Sequence, residues 1–300
     1  MRWKGRRQSD NIEDRRGDTP AGMGGRRAGS AGLLRLLPLL MRTLGLKGTV
    51  LVVAAFGAFT YFSGGGTGSL LGNGTAQGTG GSEAPADAAE QELVEFVAVV
   101  LAETEATWQR QFAQQNRRYV QPQLVLYRGA TRSACGLGQA AMGPFYCPGD
   151  QKIYLDLAFF DDLSRRHGAP GDFARAYVIA HEVGHHVQTL LGISEQVQRA
   201  RQGMDEGSAN ALSVRQELQA DCYAGLWGRD ADQRADLLEA GDVEEALVAA
   251  GAIGDDRLQT QARGYVTPDS FTHGSSEQRV RWFRIGMTEG SLAACDTFRG

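Results

Sequence analysis

Apolar residues recur at helical spacing through residues 88–115, at Leu93, Phe96, Val97, Val100, Leu101 and Trp108, which predicts a helix with one face in a core. Two short runs follow, Gln-Leu-Val-Leu-Tyr at 123–127 and Lys-Ile-Tyr-Leu-Asp-Leu at 152–157, and both read as strands. Between them lies a glycine-rich stretch with two cysteines. A short helix is expected over 158–166, ended by Gly168-Ala-Pro-Gly171. Helical patterns resume at 173–191 and at 213–227, where Val214, Leu218, Ala220, Tyr223, Ala224 and Trp227 are the apolar positions. Further helices are expected over 232–240, 243–252 and 275–286, the last burying Val280, Trp282, Phe283 and Ile285. One strand-bearing region among many helices predicts an α+β domain, mostly helical with a small sheet, over residues 88–300. No internal repeat is present.

The first 87 residues have a different pattern. Residues 48–62 carry no charge and end in Tyr61 and Phe62. Extended to 44–63, with Lys47 reaching toward the surface, the stretch attains the length of one transmembrane helix. No A-x-A cleavage site directly follows it, so an uncleaved anchor is expected rather than a signal peptide. Residues 1–47 hold 11 Lys/Arg against 4 Asp/Glu, so the remainder of this chain of net charge −4 carries −11. This asymmetry predicts a basic, disordered cytoplasmic head over 1–43 and an anchor in the inner membrane. A Gly-rich linker over 64–87 would then lead to an extracytoplasmic domain. Leu33 to Met41 could rest on the membrane surface, although Pro38 weakens it as a helix. The arginines of the head adjoin an apolar segment and lack interleaved aromatics, so nucleic acid is not an expected partner.

The candidate chemistry lies in His181-Glu182-Val183-Gly184-His185. On a helix His181 and His185 share a face and can point at one metal ion. Glu182 is offset and can reach a water beside that ion as a general base. The chain has five histidines, and three of them, His181, His185 and His186, fall within six residues. About thirty residues on, Glu217 and Asp221 stand four apart on a second predicted helix. A catalytic Zn2+ commonly takes two histidines, a glutamate and a water, which makes Glu217 the candidate third ligand. Asp221 is then the candidate acceptor for the free ring N–H of a ligating histidine. His186 points to another face and reads as a packed histidine, and His167 has no evident partner.

Glu217-Leu-Gln-Ala-Asp221 resembles the E-x-x-A-D signature of glutamate-zincin peptidases. Cys135-Gly136, Gly143-Pro-Phe-Tyr-Cys147, the stretch from Ala176 to Gln188 and Phe271-Thr-His-Gly-Ser-Ser-Glu-Gln-Arg279 are similar to the neutral zinc metallopeptidase family of bacterial membrane-anchored proteins. The resemblance spans about residues 93–298. It implies a zincin-like fold, a peptide or protein substrate, and an edge strand that pairs with the substrate backbone. Residues 152–157 are the candidate for that edge, with an ordinary internal strand as the alternative. The block at 271–279 resembles a T-H-P-x-x-x-x-R pattern in which His273 or Arg279 faces the substrate, with Gly274 in place of the proline. The alternatives are that His273 caps the helix starting near Ser275 and that Arg279 makes a structural ion pair. Tyr265 is a weaker candidate donor.

The four cysteines allow three pairings. Proximity favours Cys135 with Cys147, leaving Cys222 for Cys295, while Cys222 as a buried free thiol is the rival. The expected function is zinc-dependent peptide hydrolysis. The rival is a catalytically silent zincin-like domain that binds an envelope protein as a scaffold, against which the intact Glu182 argues.

Overall fold

In the computed structural model, residues 1–18 and 88–299 are described. Strand β1 (Ile12–Asp14) belongs to the N-terminal segment. Helix α1 (Ala88–Ala113) carries the predicted apolar stripe, with Phe96, Val97, Val100, Leu101 and Trp108 all buried. Its burial is wider than one stripe and takes in Ala98, Val99, Ala102, Glu103 and Glu105. Strands β2 (Gln123–Tyr127), β3 (Ala130–Ser133), β4 (Gly136–Gln139), β5 (Phe145–Cys147) and β6 (Lys152–Asp156) follow. Four of them form one sheet in the order β1-β2-β6-β5, and β3 and β4 form a separate hairpin. Strands β1 and β6 both run parallel to β2, and β5 is antiparallel to β6. Alternation sends Leu124, Leu126, Ile153 and Leu155 into the main core, and Val125, Tyr127 and Tyr154 into a second cluster with Cys147.

Residues 152–157, the expected edge, are therefore interior: β6 is paired on both sides, and among the described residues the edge beyond it is β5. The sequence of β5 is only three residues long and gave no strand period, so the pairing that covers β6 was not visible in it.

Helix α2 (Ala158–Arg165) leads to Gly171, whose φ of 116° turns the chain into α3 (Asp172–Leu191). Gly192 ends α3 in the left-handed region, and α4 (Ile193–Arg201) follows. Asp205 accepts from the Ser208 amide at 2.9 Å and starts the 30-residue α5 (Glu206–Ala235). The helix expected over 232–240 is instead the end of α5, which stops where Asp236 turns left-handed at φ 49°. After it come α6 (Asp242–Ala252), α7 (Asp255–Arg263) and α8 (Ser276–Glu289). Ser275 and Gln278 close a capping box at the start of α8, so His273 is not its cap.

Helix α5 is the centre of the helical layer. A Cβ on Gly184 of α3 would lie 3.1 Å from the Ala220 backbone. Between α5 and α8 the approach is closer: a Cβ on Gly225 would stand 2.1 Å from the Phe283 carbonyl oxygen, and one on Gly286 2.0 Å from that of Cys222. Glycine at these crossings lets helix backbones touch. The disulfides Cys135–Cys147 and Cys222–Cys295 are both formed, so Cys222 is not a free thiol.

Residues 1–18 are not a disordered head. Strand β1 extends the sheet, with Ile12 opposite Leu124 and Asp14 opposite Leu126. Trp3 is buried edge-on against Phe96 at 5.4 Å and donates to Asp172 at 2.9 Å. Arg7 donates to the Ala102 carbonyl and Glu105, Asn11 donates to Glu105 as well, and Arg6 reaches the Ala235 carbonyl at the end of α5. Among the described residues, Arg2, Arg6 and Arg7, part of the charge that read as a topology signal, are partners of backbone carbonyls and of buried acids on α1, while residues 19–43 of the expected head lie outside the described residues.

The expectation of a transmembrane helix and of single-pass inner-membrane localisation is corrected with it. Residues 44–63 and the linker 64–87 lie outside the described residues, and among those described no helix is long and apolar enough to cross a membrane. A single pass between residues 18 and 88 would also put the head and the domain on opposite faces. Here β1 is hydrogen-bonded into the domain's sheet.

Removing the anchor of the head tests this packing. Trp3→Ala is expected to lower unfolding free energy by about 3–5 kcal/mol, measured by denaturant titration of the full chain. An unchanged midpoint would mean that the head does not dock.

Candidate metal centre

Helix α3 presents His181 and His185 toward Glu217 and Asp221 of α5. His181 Nε2 lies 3.1 Å from Glu217 Oε2, and His185 Nε2 lies 3.4 Å from Glu217 Oε1. One donor atom from each of His181, His185 and Glu217 falls within 4.8 Å of the others. Bonds of 2.0–2.1 Å in a tetrahedron put ligand atoms about 3.3–3.4 Å apart; the two histidine-to-glutamate separations are close to that, and two histidines with a glutamate are a donor set that suits zinc. The sequence-predicted trio is thus brought together, by the glycine-mediated contact of α3 with α5.

Behind the trio lies a second layer. Asp221 is fully buried, and its Oδ1 accepts from Tyr177 Oη at 2.5 Å, His181 Nδ1 at 2.8 Å and Arg279 Nη2 at 2.9 Å. Its Oδ2 accepts from Arg279 Nε at 2.9 Å. Burial works against the charge on Asp221, but Arg279 and His181 outweigh it and hold the pKa down to about 2. Burial likewise opposes charge on His181, yet Asp221 and Glu217 push its pKa up to about 10 when no metal competes. Arg279 is therefore the partner of Asp221, the alternative in which it makes a structural ion pair. His185 is held differently: its Nδ1 meets Gln188 Oε1 at 2.9 Å.

Glu182 is 8% exposed and lines a cavity of about 600 Å³ together with His181, His185, Glu217 and His273. His273 reaches this cavity from the loop before α8. Its Nδ1 lies 3.2 Å from Asp255 Oδ1, and Asp255 Oδ2 accepts the backbone amides of Thr272, His273 and Gly274. Asp255 raises the His273 pKa, against the effect of burial. Gly274 has a φ of 92°, which proline cannot adopt, and its N–H is used, so this loop differs from a T-H-P backbone for a physical reason. Tyr265 is exposed under Arg263 and does not line the cavity. His186 is packed away between Tyr146 Oη at 3.2 Å and the Val120 carbonyl at 2.7 Å. His167, from the loop after α2, lies on the cavity wall.

The edge strand β5 also borders the cavity, through Phe145 and Tyr146. Met142, Phe159, Val178, Ile253 and Leu258 make the wall partly apolar. Sequence reading missed Tyr177, Gln188 and Asp255. The first two stand four residues before His181 and three after His185, so helical spacing alone could have nominated them. Asp255 is 18 residues from His273 and had no local signal.

The family described as “Putative neutral zinc metallopeptidase” matches residues 1–298, which includes the docked head. The chain is similar to “Uncharacterized protein YpfJ” of Escherichia coli strain K12, at 50% identity over 303 residues and 99% of each chain. It is also similar to “Uncharacterized protein Rv2575” of Mycobacterium tuberculosis H37Rv, at 43% identity over 190 residues, 60% of this chain and 63% of that one. No solved structure matches significantly.

Arg279→Met would leave the Asp221 carboxylate buried with its main cationic partner gone. A loss of about 3–5 kcal/mol in urea unfolding is expected. Pairing the change with Asp221→Asn should recover part of it.

Proposed function

Because the chain belongs to the family described as putative neutral zinc metallopeptidase, we propose that it hydrolyses peptide bonds with zinc held by His181, His185 and Glu217. The observation that supports this most directly is the convergence of those three donors in a cleft that also holds Glu182. Zinc, when bound, lowers the pKa of a water to about 7 and polarises a carbonyl beside it. Glu182 takes the proton of the attacking water on its carboxylate and passes it to the leaving amine nitrogen. With zinc bound, His181 and His185 would each be neutral, with Nδ1–H on its inward partner and the Nε2 lone pair given to the metal. Asp221 keeps His181 in that state and is itself neutralised by Arg279.

His273 supplies a donor to the carbonyl oxygen as charge develops there. Its Nδ1 on Asp255 leaves Nε2 for the cavity, and Asp255 favours the protonated ring, in which Nε2 carries a hydrogen to donate. An extended peptide laid against β5 can add a strand to the sheet edge. The apolar wall at Phe159, Val178, Ile253 and Leu258 suits a hydrophobic side chain next to the scissile bond.

Zinc content and cleavage of a fluorogenic peptide library by the full chain separate the roles. Glu182→Gln should retain one zinc and lose hydrolysis by at least a hundredfold. Glu217→Ala should lose most of the metal. A Glu182→Gln protein that still cleaves peptides would overturn the mechanism, and a folded wild type without zinc would favour a binding scaffold.

Protons compete with the metal. Both ligand histidines have raised pKa values in the metal-free fold, so below those values each must lose a proton to bind zinc. Zinc affinity, measured against a competing chelator from pH 8 to 6, should fall as pH falls. The expected slope is up to about tenfold per pH unit for each proton displaced.

A further inference from the structure

His181 and His185 are symmetric in the motif but not in the structure. His181 Nδ1 faces a carboxylate. Behind His185 stands a chain of neutral amides. Gln188 Oε1 is 2.9 Å from His185 Nδ1. Gln188 Nε2 donates to the Gln216 carbonyl at 2.7 Å and to Gln219 Oε1 at 3.1 Å. Gln219 Nε2 donates in turn to the Cys295 carbonyl at 3.0 Å. Both side chains are almost wholly buried, Gln188 at 0% and Gln219 at 3% exposure.

The direction of this chain is fixed by its ends. A glutamine amide can face either way, and its orientation must be assigned from its partners. The carbonyl oxygens of Cys295 and Gln216 can only accept. The Cys295 carbonyl therefore takes the Gln219 NH2, which turns Gln219 Oε1 toward Gln188. The Gln216 carbonyl and Gln219 Oε1 together take the Gln188 NH2. Gln188 Oε1 is left facing His185, and an acceptor there demands a proton on Nδ1. With Nδ1 so committed, Nε2, 3.4 Å from Glu217 Oε1, is the nitrogen whose lone pair can go to a metal. Reversing either amide would set N–H against N–H or oxygen against oxygen in a buried place, a loss of about 1–3 kcal/mol for each unsatisfied group.

We propose that Gln188 is the positioning residue of His185, and that Gln219 and the Cys295 carbonyl set its polarity, so that the C-terminal segment fixes which nitrogen of His185 meets the metal. This rests on the reading of His185 as a zinc ligand. Because Cys295 is joined to Cys222 on α5, five residues after Glu217, the disulfide holds the terminal acceptor of the relay in place.

The test uses the full chain loaded with zinc, 15N-labelled at histidine, with zinc affinity measured by chelator competition. Wild type is expected to show His185 ligated through Nε2, with a slowly exchanging Nδ1–H resonance. Gln188→Leu should lose that protected resonance and bind zinc about 10–100-fold more weakly. Gln188→Glu keeps an acceptor for Nδ1–H and should restore the resonance, at a cost in stability because its second oxygen faces the Gln216 carbonyl and Gln219 Oε1; general loss of packing would not bring the resonance back. Ligation of wild-type His185 through Nδ1 would overturn the proposal even if the leucine variant fails to fold. So would a Gln188→Leu protein with wild-type affinity and an unchanged resonance. A wild type that takes up no zinc would remove the underlying reading and the proposal together, whereas normal zinc uptake with an indifferent Gln188 removes the proposal alone.

Discussion

The buried carboxylate of Asp221 is the constraint on which the rest of the centre depends. A charge with no exposure is tolerable only when it is paired and its lone pairs are filled. Asp221 meets that condition with donors from two other helices: Tyr177 and His181 from α3, and Arg279 from α8. Three helices must therefore converge at one point. Gly184, Gly225 and Gly286 make the convergence sterically possible, since a side chain at any of them would meet the neighbouring helix within about 3 Å. The same convergence brings Glu217, one turn before Asp221, level with His181 and His185.

The two histidines are then backed by different chemistry, and charge explains the difference. Glu182, Glu217 and Asp221 already gather three carboxylates around the cavity and its rear wall. Arg279 offsets one of them. A further carboxylate behind His185 would add uncompensated negative charge to a buried region, whereas the Gln188 and Gln219 amides orient the ring and carry none. Around the opening, the Cys135–Cys147 disulfide closes the loop that carries Met142 and leads into β5, so the sheet edge and the cavity wall belong to one tied segment.

The N-terminal segment shows how a charge pattern can mislead. Eleven basic residues before an apolar run look like an orientation signal. In the fold, several of those arginines serve α1 and the end of α5: Arg7 pairs with Glu105, and Arg2 and Arg6 meet the carbonyls of Asp236 and Ala235. Helix ends carry unsatisfied carbonyls and a partial negative charge, so arginine there is a structural choice. Nothing in a linear charge count separates that role from a topological one.

Spacing along one helix is dictated by backbone geometry, and so the sequence by itself determined what depends on it. It set His181 and His185 on one face, Glu217 and Asp221 on another, the apolar stripe of α1 and the strands β2 and β6. Partnerships between distant segments follow no such period, and those were decided by tertiary structure alone. Strand β6 lost its edge to the three-residue β5, and residues 1–18 joined the sheet across more than a hundred positions. Arg279 turned to Asp221, and Asp255 took charge of the His273 loop. In each of these a polar side chain or backbone group takes a partner far away in sequence, and where the two are buried an unsatisfied group is costly enough to dictate the choice.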